Sequence, residues 1–235
     1  MSTGRHVPVQ LNEILARIAA AADSCGRRHE EVKLVAVSKT FSPELVSAAY
    51  DAGQRRFGEN RVQELLTKTG SLPTDIEWHL IGHLQANKAA KAVASATWIH
   101  SVDSAELVQR LDRLAGEQQR HPKILLEVNV SCEESKFGLR ENDVILKTAS
   151  AAAAAKNLSW LGLMTMAPYE APEKELRLIF SGLRKLRDSL SSNFGIPLPE
   201  LSMGMSGDFE AAIKEGSTIV RVGTAIFGER TRPGV

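Results

Sequence analysis

Short apolar runs alternate with helix-patterned segments from Lys33 to Phe227, and this alternation restricts the fold more than any other feature of the chain. The runs are Lys33–Lys39, Arg55–Asn60, Glu77–Gly82, Trp98–Asp103, Ile124–Val130, Ser159–Ala167, Leu201–Met205 and Thr218–Phe227. Several are apolar almost throughout, as in Leu34–Val37 and Ile124–Leu126. A strand with water on one face alternates apolar with polar residues, whereas the strands of parallel sheets are covered on both faces and do not. Between the runs the apolar spacing becomes helical. Ser42-Pro43-Glu44 opens one such helix, with an N-cap residue followed by proline, and Gly53 closes it. Repeated βα units of this kind give a parallel sheet. Eight units in 235 residues favour closure into a single (β/α)8 barrel of the TIM type, which commonly takes about 200–250 residues. A doubly wound open sheet is the runner-up, but no Gly-x-Gly-x-x-Gly follows the first strand. One helix, Val9–Ala22, precedes the first strand, with Leu11, Ile14, Leu15 and Ile18 at helical spacing. The expected organisation is residues 1–30 as an N-terminal helix packed on the barrel, 31–229 as one α/β barrel domain, and 230–235 as a flexible tail.

The totals exclude several classes. The formal net charge is +1 with no basic block, so no nucleic-acid partner is expected. No run approaches the roughly 18 apolar residues of a membrane span, and no apolar signal core follows the polar residues Met1–Gln10. The two cysteines, Cys25 and Cys132, have neither redox nor zinc spacing, which fits a reducing compartment. A cytoplasmic protein is expected. His79 and His83 stand four apart but straddle a strand end, so they do not read as a metal pair. Trp78, Trp98 and Trp160 read as packing residues.

In a barrel of this kind the chemistry sits where the strands end. Lys39 ends the first apolar run; partly desolvated there, an amine loses basicity and can attack a carbonyl. A lone strand-end lysine more often reaches out to water. The other end of the chain changes that balance. Met205-Ser206-Gly207-Asp208 joins the seventh strand to a helix, and Gly223-Thr224 stands just beyond Arg221 in the eighth run, after the strand proper. The loops after strands seven and eight are the usual phosphate site of the fold, and glycine lets backbone approach a ligand. Strand eight neighbours strand one in a closed barrel, so these loops and Lys39 form a candidate aldehyde-plus-phosphate pocket. Arg221, between Val220 and Val222, needs a partner: an ion pair with Glu127 or Asp103, or a pyridine nitrogen that a neighbouring cation would keep unprotonated. Asn60 and His83 end strands and are weaker candidates. The pair Glu133-Glu134 reads as a solvated loop, from which Lys136 could lean over the barrel mouth.

The stretches that carry these residues resemble one family. They are Val35-Ala-Val-Ser-Lys-Thr40, Phe57-Gly-Glu-Asn-Arg-Val-Gln-Glu64, Trp78-His-Leu-Ile-Gly-His-Leu-Gln85, Val102-Asp-Ser104, Asn129-Val-Ser131, Gly162-Leu-Met-Thr-Met166, Leu201-Ser-Met-Gly-Met-Ser206 and Val220-Arg-Val-Gly-Thr224. In that order, from Lys33 to Gly228, they look like the YggS/PROSC family of pyridoxal 5'-phosphate (PLP) homeostasis proteins. The resemblance implies a barrel like the N-terminal domain of alanine racemase, with PLP held as a Schiff base on Lys39. It implies Arg221 facing the pyridine nitrogen, Ser206, Gly207, Gly223 and Thr224 at the phosphate, and Asn60 and His83 beside the ring. Cys132 and Gly207 depart from the pattern, where glycine and an acidic residue are expected in turn. The implied role is carriage of PLP in intracellular PLP and amino-acid balance, with PLP-dependent apoenzymes as recipients and a monomeric carrier. The alternative is a PLP-dependent amino-acid racemase of low activity. Racemisation needs an acid–base group on each face of the substrate. Only Tyr50 and Tyr169 offer a phenol here, and the sequence places Tyr50 in a helix. A Schiff-base aldolase acting on a sugar phosphate would explain Lys39 and the loops but not Arg221.

Overall fold

The structure is a computed structural model and describes residues 4, 6–131, 133 and 137–229. Eight parallel strands pair in chain order and close into a barrel: β1 (Lys33–Val37), β2 (Arg56–Glu59), β3 (Glu77–Leu80), β4 (Trp98–Val102), β5 (Lys123–Glu127), β6 (Ser159–Met164), β7 (Glu200–Ser202) and β8 (Ile219–Val222). Helices α1 (Val7–Asp23), α2 (Pro43–Asp51), α3 (Val62–Thr69), α4 (Ala89–Ser95), α5 (Ala105–Glu117), α6 (Asn142–Ala154), α7 (Glu173–Phe194), α8 (Phe209–Lys214) and α9 (Thr224–Phe227) accompany them. The barrel reading holds and the open-sheet alternative does not: β1 pairs with β8 through Lys33–Ile219, Leu34–Val220, Val35–Arg221 and Ala36–Val222.

Alternation sorts each strand into inner and outer faces. Val35, Trp98, Leu125, Met164 and Ile219 are fully or nearly buried and pack together as a plug inside the barrel. Leu34 and Ala36, on the other face of β1, join the main core between barrel and helices. Continuing the alternation of β1, Val37 and Lys39 follow Val35 on the inner side and rise toward the mouth. All three tryptophans are buried, as expected.

Helix α1 buries Val7, Leu11, Ile14 and Ile18 and packs on α8 and α9. Leu15, which its spacing assigns to the same stripe, is 43% exposed and turns outward. Beyond α1, Arg27 donates to the carbonyls of Ile213 (2.9 Å) and Ser217 (2.8 Å), tying the segment to the end of α8.

Several element boundaries differ from expectation, and β5 and β6 stop at Glu127 and Met164, each three residues short of its apolar run. The eighth apolar run is not one strand to Phe227: β8 stops at Val222, and Thr224–Phe227 forms a single turn of helix. Strand β7 is three residues, not five, although the Met203 amide still donates to the Ile219 carbonyl (3.1 Å) before the chain enters the loop that follows. Helix α7 ends at Phe194, capped by Gly195, whose φ of 63° is the left-handed conformation that glycine favours. The expected flexible tail 230–235, Cys132 and Lys136 lie outside the described residues. No described helix is long and apolar enough to cross a membrane.

Candidate functional site

A cavity of about 690 Å³ opens where the strands end. All eight candidates from the sequence line it: Lys39 after β1, Asn60 after β2, His83 after β3, Ser206 and Gly207 after β7, and Arg221, Gly223 and Thr224 from β8 and its loop. Val37, Ile81, Met166 and Leu176 supply apolar wall.

The turn after β1 presents Lys39, half-buried at the cavity. Beneath it lies a buried polar cluster that the sequence did not reveal. Lys68 of α3 donates to the Ser38 carbonyl (2.7 Å) and to Glu59 Oε1 (2.6 Å), and the Ser38 hydroxyl donates to the same oxygen (2.6 Å). Burial pushes the Glu59 carboxyl above its ordinary range, against the pull of the Lys68 ammonium. The cluster ties the end of β1 to the end of β2, one residue behind Lys39 and one behind Asn60. Gly82 completes this corner: a Cβ there would lie 2.4 Å from the Asn60 carbonyl oxygen, so only glycine lets the two loops approach.

Arg221 is 4% exposed. Its guanidinium donates to Ser202 Oγ (2.6 Å) and to the Thr165 carbonyl (2.8 Å). Of the two partners the sequence left open for Arg221, the ion pair with Glu127 or Asp103 does not form. The serine sits on the neighbouring strand and a neutral acceptor takes its place, while Asp208 and Glu127 act on Arg221 only through their charge. Burial lowers the Arg221 pKa to about 10, which leaves it a cation at neutral pH. Behind Ser202 the chain of contacts continues: the Oγ lies 2.9 Å from His100 Nδ1, and His100 Nε2 lies 2.8 Å from His79 Nδ1. Burial holds both imidazoles well below their ordinary pKa, so both are neutral. In both rings desolvation is the main cause; for His79 the charges of Arg56, Lys123 and Lys33 add to it, and for His100 the repulsion that a protonated His79 would exert and the charge of Arg221 do so. At the end of β5, burial and the Asp103 carboxylate raise Glu127 to about 7, opposed by Arg221.

The loops after β7 and β8 meet. Ser206 Oγ accepts from the Gly223 amide (3.4 Å) and lies 3.3 Å from the Thr224 hydroxyl. These are long contacts between small groups, and they leave hydroxyl and amide donors together at the cavity edge. A Cβ at Gly207 would meet nothing within 4 Å, so the steric environment does not demand glycine there. Asp208 Oδ1 accepts from the Met205 amide and shapes the same turn.

His83 closes the opposite side. Its Nδ1 lies 3.2 Å from Asp103 Oδ2, and its ring stacks on Phe137 with centroids 4.2 Å apart. Of the two tyrosines, Tyr169 reaches the cavity rim but is 88% exposed, and Tyr50 is held by Asp75 (2.7 Å) on the outer helices. No group of three or more potential metal ligands occurs among the described residues.

Fold and cavity together define a parallel α/β barrel with an amine, a buried guanidinium and a donor-rich double loop around one chamber. The chain belongs to the alanine racemase N-terminal domain family, whose model matches residues 9–231. Among its relatives is a pyridoxal phosphate homeostasis protein of Aquifex aeolicus, 42% identical over 222 residues, covering 94% of this chain and 97% of the relative. A solved structure of PipY from Synechococcus elongatus with PLP bound is 40% identical with a TM-score of 0.81, covering 92% of this chain and 100% of that one. An alanine racemase of Clostridium difficile shares the fold, with a TM-score of 0.75 at 12% identity, covering 97% of this chain and 58% of the racemase.

Proposed function

We propose that this protein binds PLP, carries it as a Schiff base on Lys39, and serves intracellular PLP and amino-acid homeostasis. The observation that carries the reading is convergence: an amine for the aldehyde, Arg221 for the ring nitrogen and the Ser206–Thr224 loops for the phosphate face one cavity. The names of the Aquifex relative and of PipY with bound PLP support it. The donor set fits the cofactor. When bound, PLP supplies an aldehyde that reacts reversibly with amines and a ring that can withdraw electrons. An arginine offers only donors, so a ring nitrogen beside it stays unprotonated and withdraws electrons weakly. Asn60 and His83 flank the ring, and Ser206, Gly207, Gly223 and Thr224 receive the phosphate.

A carrier is favoured over a racemase by the surroundings of the two phenols. Tyr50 is engaged outside the cavity, and Tyr169 is too exposed to be fixed as the second acid–base group. In this reading the protein works as a cytoplasmic monomer and passes PLP to PLP-dependent apoenzymes. The test is titration with PLP followed by absorbance. The parent develops a long-wavelength band, and Lys39→Ala does not while still binding PLP reversibly. Equal bands in both proteins would refute the assignment of Lys39.

A further inference from the structure

Helix α3 grips the main chain on both sides of Lys39. Glu64 and Lys68 stand one helical turn apart and therefore on one face. Lys68 Nζ donates to the carbonyl of Ser38, and Glu64 Oε2 accepts from the amide of Thr40 at 2.8 Å. The two peptide groups that flank the Lys39 Cα are thus both tied to the same short helix. The Phe41 amide also donates to the Ser38 carbonyl (3.1 Å), which closes a turn with Lys39 and Thr40 at its centre. Thr40 has φ of 67°, a left-handed conformation that a β-branched residue rarely adopts and that surrounding contacts must hold. Lys68 is itself fixed by Glu59 and is 5% exposed. Neither Glu64 nor Lys68 lines the cavity, so neither is placed to touch a ligand there.

We propose that Glu64 and Lys68 are positioning residues for the Lys39 amine: they hold the turn that aims it, and so govern covalent capture of the aldehyde separately from affinity for the phosphate end. This rests on the PLP reading. In the capture step the Lys39 nitrogen and the aldehyde carbon become joined as C=N, and the aldehyde oxygen leaves as water with the two amine protons. The step needs the nitrogen aligned on the carbonyl carbon, and misplacement of such a group by about 1 Å can slow a reaction roughly 100-fold.

The experiment uses the full chain and two probes. PLP reports capture through the rate at which its absorbance changes. Pyridoxine 5'-phosphate has an alcohol in place of the aldehyde and reports non-covalent affinity alone, by calorimetry. Glu64→Ala keeps a good helix former on α3 and removes the acceptor for Thr40 together with a negative charge that acts on Glu59, a charge that Glu64→Gln removes as well. Its capture rate is expected to fall roughly 10- to 100-fold, with pyridoxine 5'-phosphate affinity unchanged, and Glu64→Gln, which retains an acceptor oxygen, is expected to recover most of the rate. Lys68→Met strands the buried Glu59 and is the less informative variant if it fails to fold. Capture by Glu64→Ala at the parent's rate, or a parallel loss of affinity for both probes, would overturn the proposal. A parent that takes no PLP onto Lys39 would instead overturn the PLP reading and the proposal with it.

Discussion

Glu127→Gln is expected to change the pH dependence of stability in a defined direction. Glu127 is 2% exposed on β5, and its folded pKa stands at about 7 against an ordinary value of 4.5. The folded state therefore holds the proton more tightly than the unfolded state does. That contribution to stability is fully present below the unfolded value, falls as pH rises from about 4.5 to about 7, and is gone above the folded value. Each pKa unit corresponds to 1.36 kcal/mol, so the loss across the window amounts to about 3 kcal/mol. Glutamine keeps the shape of the protonated carboxyl and cannot ionise. Urea unfolding of parent and variant from pH 4 to pH 8, without added ligand, isolates the effect, because intrinsic differences between the side chains cancel in the comparison across pH. The variant gains on the parent by about 3 kcal/mol between the two ends. Parallel stability curves would show that Glu127 is solvated or partnered well enough to ionise normally, and would refute the reasoning.

Other perturbations read the remaining parts of the site. Gly82→Ala drives a Cβ to 2.4 Å from the Asn60 carbonyl oxygen, so it is expected to cost about 1–3 kcal/mol in urea unfolding and to weaken PLP binding. Arg221→Gln leaves Ser202 and the Thr165 carbonyl short of a donor; a loss of about 1–3 kcal/mol is expected, with a shift in the absorbance maximum of bound PLP as the ring nitrogen gains a proton. Ser206→Ala combined with Thr224→Ala removes two hydroxyl donors from the joined loops and is expected to raise the dissociation constant for pyridoxine 5'-phosphate roughly tenfold, with unfolding midpoints little changed.

Much of this architecture was legible in the sequence, for reasons that can be named. Burial on both faces makes Leu34–Val37 apolar throughout, and the strand-end positions of Lys39, Asn60 and His83 follow once eight such runs are counted. The boundary at Val222 was not legible: Ala225, Ile226 and Phe227 are as apolar as the strand before them, and four residues are too few for helical spacing to show. The end of α7 is legible in Gly195, which takes the left-handed cap. The partners of Arg221 depend on which inner positions of β6, β7 and β8 stand at one height, and that is a matter of register across the barrel. Charge alone pointed to Glu127 or Asp103, whereas register brought Ser202 and Thr165. Lys68 was hidden for a related reason. On its own helix it resembles a surface lysine, and only the rotation of α3 against the ends of β1 and β2 turns it inward to Ser38 and Glu59.

The most direct test of PLP carriage is borohydride reduction of the PLP-loaded protein followed by peptide mass analysis. A pyridoxyl group on the peptide containing Lys39, and its absence from the Lys39→Ala protein treated in the same way, is the predicted result. A protein that PLP leaves unmodified, or a label that stays in place when Lys39 is replaced, would contradict the central claim.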